Sequence, residues 1–256
     1  MRVFFGIDAT KGFPRWWRGD PYLISAAVLW NKKRYRFRIF RKRPLQGLFF
    51  LDSGGFSFFS KEGVYPFSPD EYLEFIRKVR PDFFATMDYP CEPDVNRSAL
   101  RTNKDRIEAT VDYGVYLWKR RHTVDSKPIV VIQGYTLEEY TYCYELYRKR
   151  GVDADYWAFG SMCRRWKDSE IRKYVRYFRE KLIGNGPKIH IFGIKISAIN
   201  RDVVESVDSI DTAAWCYAKY TGGWGCTEEN FLRYKEKLKT LIERAKTERR
   251  QLSFLV

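Results

Sequence analysis

Residues 129–160 read IVVIQGYTLEEYTYCYELYRKRGVDADYWAFG, and they decide the architecture. Residues 129–132 form a short β-branched run with no polar interruption, the pattern of a strand covered on both faces. Residues 137–150 carry a helical pattern that Gly151 ends, since glycine adopts the left-handed conformation that closes a helix. Residues 156–159 are a second buried-type strand. Strand, helix, strand in this order makes a parallel pair with a helical crossover.

The same grammar recurs outward in both directions. Residues 48–51, 83–87 and 189–194, and more weakly 209–210, are further strand candidates. Ser68-Pro69-Asp70-Glu71 opens a helix with a capping serine and a proline at the first helical position. Residues 102–121 and 167–182 are helical, the latter stopping before Gly184-Asn185-Gly186-Pro187. Thr227-Glu228-Glu229 starts a terminal helix charged nearly all round, which predicts solvent exposure. Residues 3–7 and one of the stretches 24–30 or 35–40 bring the strand count to eight. The length of 256 residues matches the ~250 typical of a (β/α)8 barrel. An open doubly wound sheet is the other closure. No GxGxxG or GxxxxGK[ST] follows a strand, so neither dinucleotide nor P-loop chemistry is indicated. The expected fold class is therefore α/β, a single (β/α)8 TIM-like barrel over residues 1–256. Residues 1–47 form its N-terminal β-rich part, a β extension of the barrel, and no low-complexity linker divides the chain.

Lysine and arginine total 47 against 32 acidic residues, a net charge of +15, which fits a polyanionic partner such as nucleic acid. Basic clusters stand at Arg41-Lys42-Arg43, at Lys119-Arg120-Arg121-His122 and at Cys163-Arg164-Arg165-Trp166-Lys167. The five cysteines show no paired short spacing, and His122 and His190 are the only histidines. No four-ligand zinc site can be written from them. No signal-peptide core and no bilayer-length apolar run appears, so the expected setting is soluble, cytoplasmic and reducing, with no membrane partner.

The ends of the strands are where polar residues gather. Residues 48–51 run into Asp52-Ser53-Gly54-Gly55-Phe56, residues 83–87 into Asp88-Tyr89-Pro90, and residues 129–132 into Gln133-Gly134. Residues 156–159 run into Gly160-Ser161, residues 189–192 into Gly193-Ile194-Lys195, and the last strand into Asp211-Thr212. In a barrel, the C-terminal strand ends build the active site. Carboxylates converging on one rim repel one another unless a site uses them, and paired carboxylates suit glycosidic-bond chemistry. Gly54-Gly55 lets the backbone approach a flat ligand, and Gln133 offers a donor and an acceptor to the edge of a base.

These residues resemble the tRNA-guanine transglycosylases, a family of (β/α)8 barrels. Asp52-Ser53-Gly54-Gly55-Phe56 looks like the family's DSGGF signature. The other motifs follow in the family's order over residues 48–215: Asp88 in the place of its base-recognition aspartate, Ile132-Gln133-Gly134 like VQG, Ala158-Phe159-Gly160-Ser161 like IGGL, Ile191-Phe192-Gly193 like MGVG and Val207-Asp208-Ser209-Ile210-Asp211 like VDxFD. The departures are the missing CxCxxC…H zinc site, Thr212-Ala213-Ala214-Trp215 in place of PTR, and the lack of an appended RNA-binding domain. The pattern therefore looks most like the trimmed DpdA-type relatives that insert 7-deazaguanine bases into DNA.

The resemblance implies a pentosyltransferase that exchanges guanine for a preQ0-like 7-deazaguanine in DNA, with tRNA as the alternative polymer and free guanine and 7-deazaguanine bases as the small partners. It implies Asp211 as the nucleophile that forms a covalent glycosyl intermediate and Asp52 as the general acid/base. Asp88, Gln133, Gly160 and Ser161 would read the base beside Gly54 and Gly55, with Gly160 donating its backbone N–H and Phe56 or Tyr89 stacking on the base. Arg164, Arg165 and Lys195 would contact phosphates at the rim, and Lys119, Arg120 and Arg121 more peripherally. No cofactor is implied, because exchange conserves the energy of the glycosidic bond. The rival readings are a carbohydrate hydrolase, which the positive charge disfavours, and an inactive nucleic-acid-binding barrel, which the presence of both Asp52 and Asp211 disfavours.

Overall fold

The computed structural model describes residues 1–40, 42–95, 100–165, 167–217 and 225–252; Arg41 and Trp166, members of two of the basic clusters, lie outside them. The chain opens with β1 (Arg2–Gly6) and β2 (Tyr22–Ser25), followed by a small antiparallel hairpin of β3 (Trp30–Asn31) and β4 (Arg36–Phe37). Then come β5 (Phe49–Asp52), β6 (Phe83–Ala85), β7 (Lys127–Ile132), β8 (Tyr156–Phe159), β9 (Lys188–Ile191) and β10 (Ser209–Thr212). All but the hairpin close into one barrel of eight parallel strands in sequential order, the expected (β/α)8 architecture. The seam is β1 on β10, where Phe4 stands opposite Asp211.

Neither of the N-terminal stretches 24–30 and 35–40 is used whole as a barrel strand. β2 ends at Ser25 because its hydroxyl accepts the Ala27 N–H at 3.3 Å and starts a one-turn helix, α1 (Ala26–Leu29). Residues 35–40 give only Arg36 and Phe37 to the hairpin, which packs Phe37 flat on Phe75 with ring centres 3.9 Å apart.

The crossover helices are α2 (Gly55–Glu62), α3 (Pro69–Val79), α4 (Asn103–Lys119), α5 (Leu137–Lys149), α6 (Asp168–Tyr177) and α7 (Arg201–Ser206). Three of them start with the same device. Ser68, Thr102 and Thr136 each cap the N–H of a carboxylate residue three positions on, and Glu71, Asp105 and Glu139 return the bond. Two otherwise unpaired helix donors are thereby satisfied at each start.

Alternation along the strands separates two apolar layers. Phe4, Leu23, Phe50, Ala85, Ile129, Val131, Tyr156 and Ala158 fill the barrel interior. Their neighbours Phe5, Ile24, Leu51, Phe84, Val130, Ile132, Trp157 and Phe159 face the helices.

The terminal helix α8 (Glu228–Leu252) corrects an expectation. Despite its charge it is not solvated all round: Phe231, Tyr234, Leu238 and Ala245 are buried. Their spacing of three, four and seven draws one apolar stripe, which lysines and glutamates obscure in a composition count. Phe231 seats in an aromatic cluster with Phe5, Trp16, Trp17 and Trp215. A second correction concerns the cysteines. Cys216 and Cys226 are joined in a disulfide with Cα atoms 4.5 Å apart, whereas a reducing setting leads one to expect unpaired thiols. Among the described residues no helix is long and apolar enough to cross a membrane.

Candidate active site

Period-two alternation carries the interior positions to the mouth of the barrel. Two residues beyond the interior Phe50, Val131 and Ala158 come Asp52, Gln133 and Gly160; Asp211 holds the matching place two beyond Ser209 on β10. The strands thus deliver both expected catalytic carboxylates and two expected base readers, Gln133 and Gly160, to the same end. Asp88 arrives differently. β6 ends after Ala85, and the Thr86 hydroxyl takes over as acceptor for the Val131 N–H at 2.9 Å. Met87 then turns into the helix layer and Asp88 into the mouth.

Asp211 is held from two sides. Its Oδ1 accepts the Gly193 N–H at 2.9 Å and lies 3.3 Å from His190 Nε2. His190 is fully buried, with Phe4, Phe50 and Phe192 set edge-on around it. Its Nδ1 lies 2.7 Å from the Ser209 hydroxyl, which in turn meets Tyr156 Oη. One arrangement satisfies the whole chain: Tyr156 donates to Ser209, Ser209 to Nδ1, and Nε2–H to the carboxylate. In that arrangement the imidazole holds the carboxylate through its Nε2–H. In the sequence His190 enters only the count of possible metal ligands. Its place mid-strand, two residues before Phe192, is the signal that marks it as an interior residue.

Asp52 is partly accessible and accepts the Gly54 N–H at 3.1 Å. Burial foremost, then the neighbouring Asp88 and Asp211 carboxylates, push its pKa up to about 7, against a lowering by hydrogen bonds from Ser25 and Gly54. A carboxyl with that value exchanges protons in both directions near neutral pH, which general acid/base work requires. Asp88 is pushed up to about 6 by burial, with hydrogen bonds from Ser53 and Gln133 working the other way. Its oxygens accept from Ser53 Oγ and from Gln133 Nε2, both at 2.6 Å. The two expected readers of the base therefore hold one another.

The glycines are steric requirements here. A Cβ on Gly160 would lie 2.1 Å from Gln133 Nε2, and one on Gly55 would lie 2.2 Å from the Asp88 carbonyl oxygen. Gly55→Ala is expected to lower stability by about 1–3 kcal/mol through overpacking and to displace Asp88. Denaturant midpoints check this, with Gly186→Ala as control, since nothing lies within 4 Å of its Cβ position.

Several expected contacts take other roles. The Gly160 N–H is donated to the Ile132 carbonyl at 3.1 Å within the ladder, so it is not free for a base. Ser161 is buried at positive φ, 53°, next to Gln133. Tyr89 is 2% exposed and packs against Phe59, Tyr65 and Tyr113, which makes it core and not a stacking platform. Phe56 carries the Arg164 guanidinium 4.8 Å above its ring. Arg164 also pairs with Asp94, and with Lys195, Tyr135, Cys163 and Glu92 it lines a cleft of about 460 Å³ at the mouth.

Arg165 is not a rim cation: it is 1% exposed, bonded to Glu170 and to the Tyr135 carbonyl, and stacked on Tyr135 and Tyr174. Its alternation with Arg164 on a tight loop sends the second guanidinium inward. Lys119 ends α4 and Arg120 and Arg121 follow it, at the far end of the barrel. There Arg121 lines a groove with Arg2, Lys127 and Lys188, the first residues of their strands. Arg120 and Arg121 lie over Tyr116 and Trp118. Sequence reasoning missed Glu92 altogether; it is 1% exposed and bonded to Ser161.

Comparison with models of protein families matches residues 14–242 to DpdA, described as DeoxyPurine in DNA protein A. No curated protein matches the chain.

Proposed function

The chain belongs to the DpdA family, and from that premise we propose that it exchanges guanine in DNA for a 7-deazaguanine base through an aspartyl-glycosyl intermediate. The family assignment supports a DNA-modifying, transglycosylase-like enzyme. The single observation that carries the finer reading is the pairing at the barrel mouth of a held carboxylate, Asp211, with a second carboxyl, Asp52, whose pKa is pushed up to about 7.

In the first step an Asp211 oxygen bonds to C1′ as the bond from C1′ to guanine N9 breaks, and Asp52 gives the departing base its proton. In the second, the now ionised Asp52 takes the N9 proton of the incoming base. That nitrogen bonds to C1′ and releases Asp211. Each step leaves the number of glycosidic linkages unchanged, so no energy source is needed. Asp88 and Gln133 would separate to receive the Watson–Crick edge of either base. Arg164 and Lys195, beside the mouth, would hold backbone phosphates of a nucleotide turned out of its stack.

The test is base exchange followed by mass spectrometry of digested nucleic acid, with preQ0, preQ1 and labelled guanine offered on DNA and on tRNA. Deazaguanine in DNA, absent with Asp211→Ala, supports the proposal; incorporation into tRNA alone overturns the choice of polymer. Phosphate contact also predicts a salt response. About four such contacts weaken binding roughly a hundredfold between 50 and 200 mM salt, measured by fluorescence anisotropy of a labelled oligonucleotide. A flat response would remove Arg164 and Lys195 from the scheme.

A further inference from the structure

Glu92 is a buried carboxyl for which the exchange reaction above has no use. It lies four residues beyond Asp88, is 1% exposed and lines the cleft at the mouth. Its Oε2 is 2.8 Å from Ser161 Oγ, and its Oε1 is 3.6 Å from Cys163 Sγ. Ser161 Oγ also lies 2.7 Å from Gln133 Oε1 and accepts the Cys91 N–H at 2.8 Å. Gln133 continues the chain to Asp88 through Nε2.

The hydrogens along this chain can be counted. A serine hydroxyl has one, yet Ser161 faces two oxygens at hydrogen-bond distance, the Gln133 amide oxygen and a Glu92 carboxyl oxygen. If Glu92 is ionised, both are acceptors and one contact lacks a hydrogen. Turning the Gln133 amide moves the deficit without removing it, because its oxygen then faces Asp88 Oδ2 at 2.6 Å. Either orientation closes with one added proton, on Glu92 in the first and on Asp88 in the second. The donors decide between them. Apart from the Gln133–Ser161 link, whose direction is the question, Asp88 keeps the Ser53 hydroxyl as a donor at 2.6 Å, while Glu92 keeps only the weaker Cys163 thiol at 3.6 Å. An anion belongs where the donors are.

We propose that Glu92 and Asp88 hold one proton between them, carried on Glu92, which makes Glu92 the positioning residue that aims Gln133 and keeps Asp88 an ionised acceptor for the N–H edge of the base. The Glu92 O–H donates to Ser161, Ser161 donates to Gln133 Oε1, and Gln133 Nε2 donates to Asp88. The role in base binding rests on the exchange function proposed above; the proton count does not. The titratable and charged groups facing Glu92 are Asp88, Cys91 and Tyr140 on its inner side, Cys163 beside it, and Asp94, Tyr135, Arg164 and Lys195 around the cleft. Arg164 is already paired with Asp94.

Two measurements test this. The infrared spectrum of the Asp52→Asn variant, which lacks the other carboxyl with a pKa near 7, should show a protonated-carboxyl stretch at pH 7 that Glu92→Gln removes and Asp88→Asn leaves. Absence of the band, or its loss in Asp88→Asn alone, overturns the proposal. In exchange kinetics, Glu92→Ala should raise the KM for the base about tenfold with kcat nearly kept. Glu92→Gln should restore KM, since its amide N–H donates to Ser161 as the acid did. A Glu92→Gln variant as impaired as Glu92→Ala also overturns it. The infrared arm needs no substrate, so a protein that exchanges no base fails the proposed function while leaving the proton count to stand or fall by itself.

Discussion

Asp211→Asn is expected to leave a folded barrel whose base exchange has dropped by about four orders of magnitude or more, the usual cost of losing a covalent nucleophile. The amide retains an oxygen for the Gly193 N–H and the His190 Nε2–H that hold the carboxylate, so the fold has little reason to change. What disappears is the electron pair that bonds to C1′. Quenching the wild type with denaturant during turnover should trap a protein–DNA adduct at Asp211, identified by mass spectrometry of the linked peptide. The Asn variant should give none. Exchange in Asp211→Asn near the wild-type rate would transfer the nucleophile's role elsewhere and leave this strand end with a structural one.

Asp52→Asn should lower exchange about a thousandfold, within the range for a group serving as both acid and base. It should also make the protein more stable. Asp52 has its pKa raised from 3.8 to about 7 in the fold, so the folded state binds that proton more tightly than the unfolded chain. Its contribution to stability is intact below pH 4, declines as pH rises and is lost above about 7. A rise of that size corresponds to about 4 kcal/mol at the limit, and the partial accessibility of the side chain reduces this to roughly 1–2 kcal/mol. The gain in the Asn variant should therefore be near zero at pH 4 and largest at pH 8 in denaturant titrations. A gain that is the same at every pH would point to packing and away from charge burial. In the proposed reaction, the burial that exacts this cost also sets proton exchange at Asp52 near neutral pH.

How much of this was legible in the sequence depends on the reach of each signal. The strands from Phe49–Asp52 onward could be read because double-sided burial leaves uninterrupted apolar runs, and their polar terminations placed Asp52, Gln133 and Asp211 together. β2 was blurred because Ser25 reads as one more strand residue until its hydroxyl caps a helix turn. Arg164 and Arg165 are adjacent and chemically identical, yet one borders the cleft and the other is buried beneath it; only the facing Tyr135 and Tyr174 rings distinguish them. Glu92 and Ser161 are 69 residues apart, and nothing local in either announces the other. Contacts of that range belong to tertiary structure alone.

The seam has a consequence for how the molecule comes into being. β1 has its partner in β10, and the Trp215 indole N–H reaches the Gly6 carbonyl across 209 residues. On a ribosome β1 therefore emerges long before the strand that completes it. One edge of the growing sheet stays open until residues 209–212 arrive, and Phe231 of α8 packs on Phe5 of β1 later still. Non-local closure of this kind slows folding and leaves a strand edge accessible meanwhile. Asp211 lies on that closing strand, so the proposed nucleophile takes its place at the end of assembly, and partly formed chains would lack the proposed site.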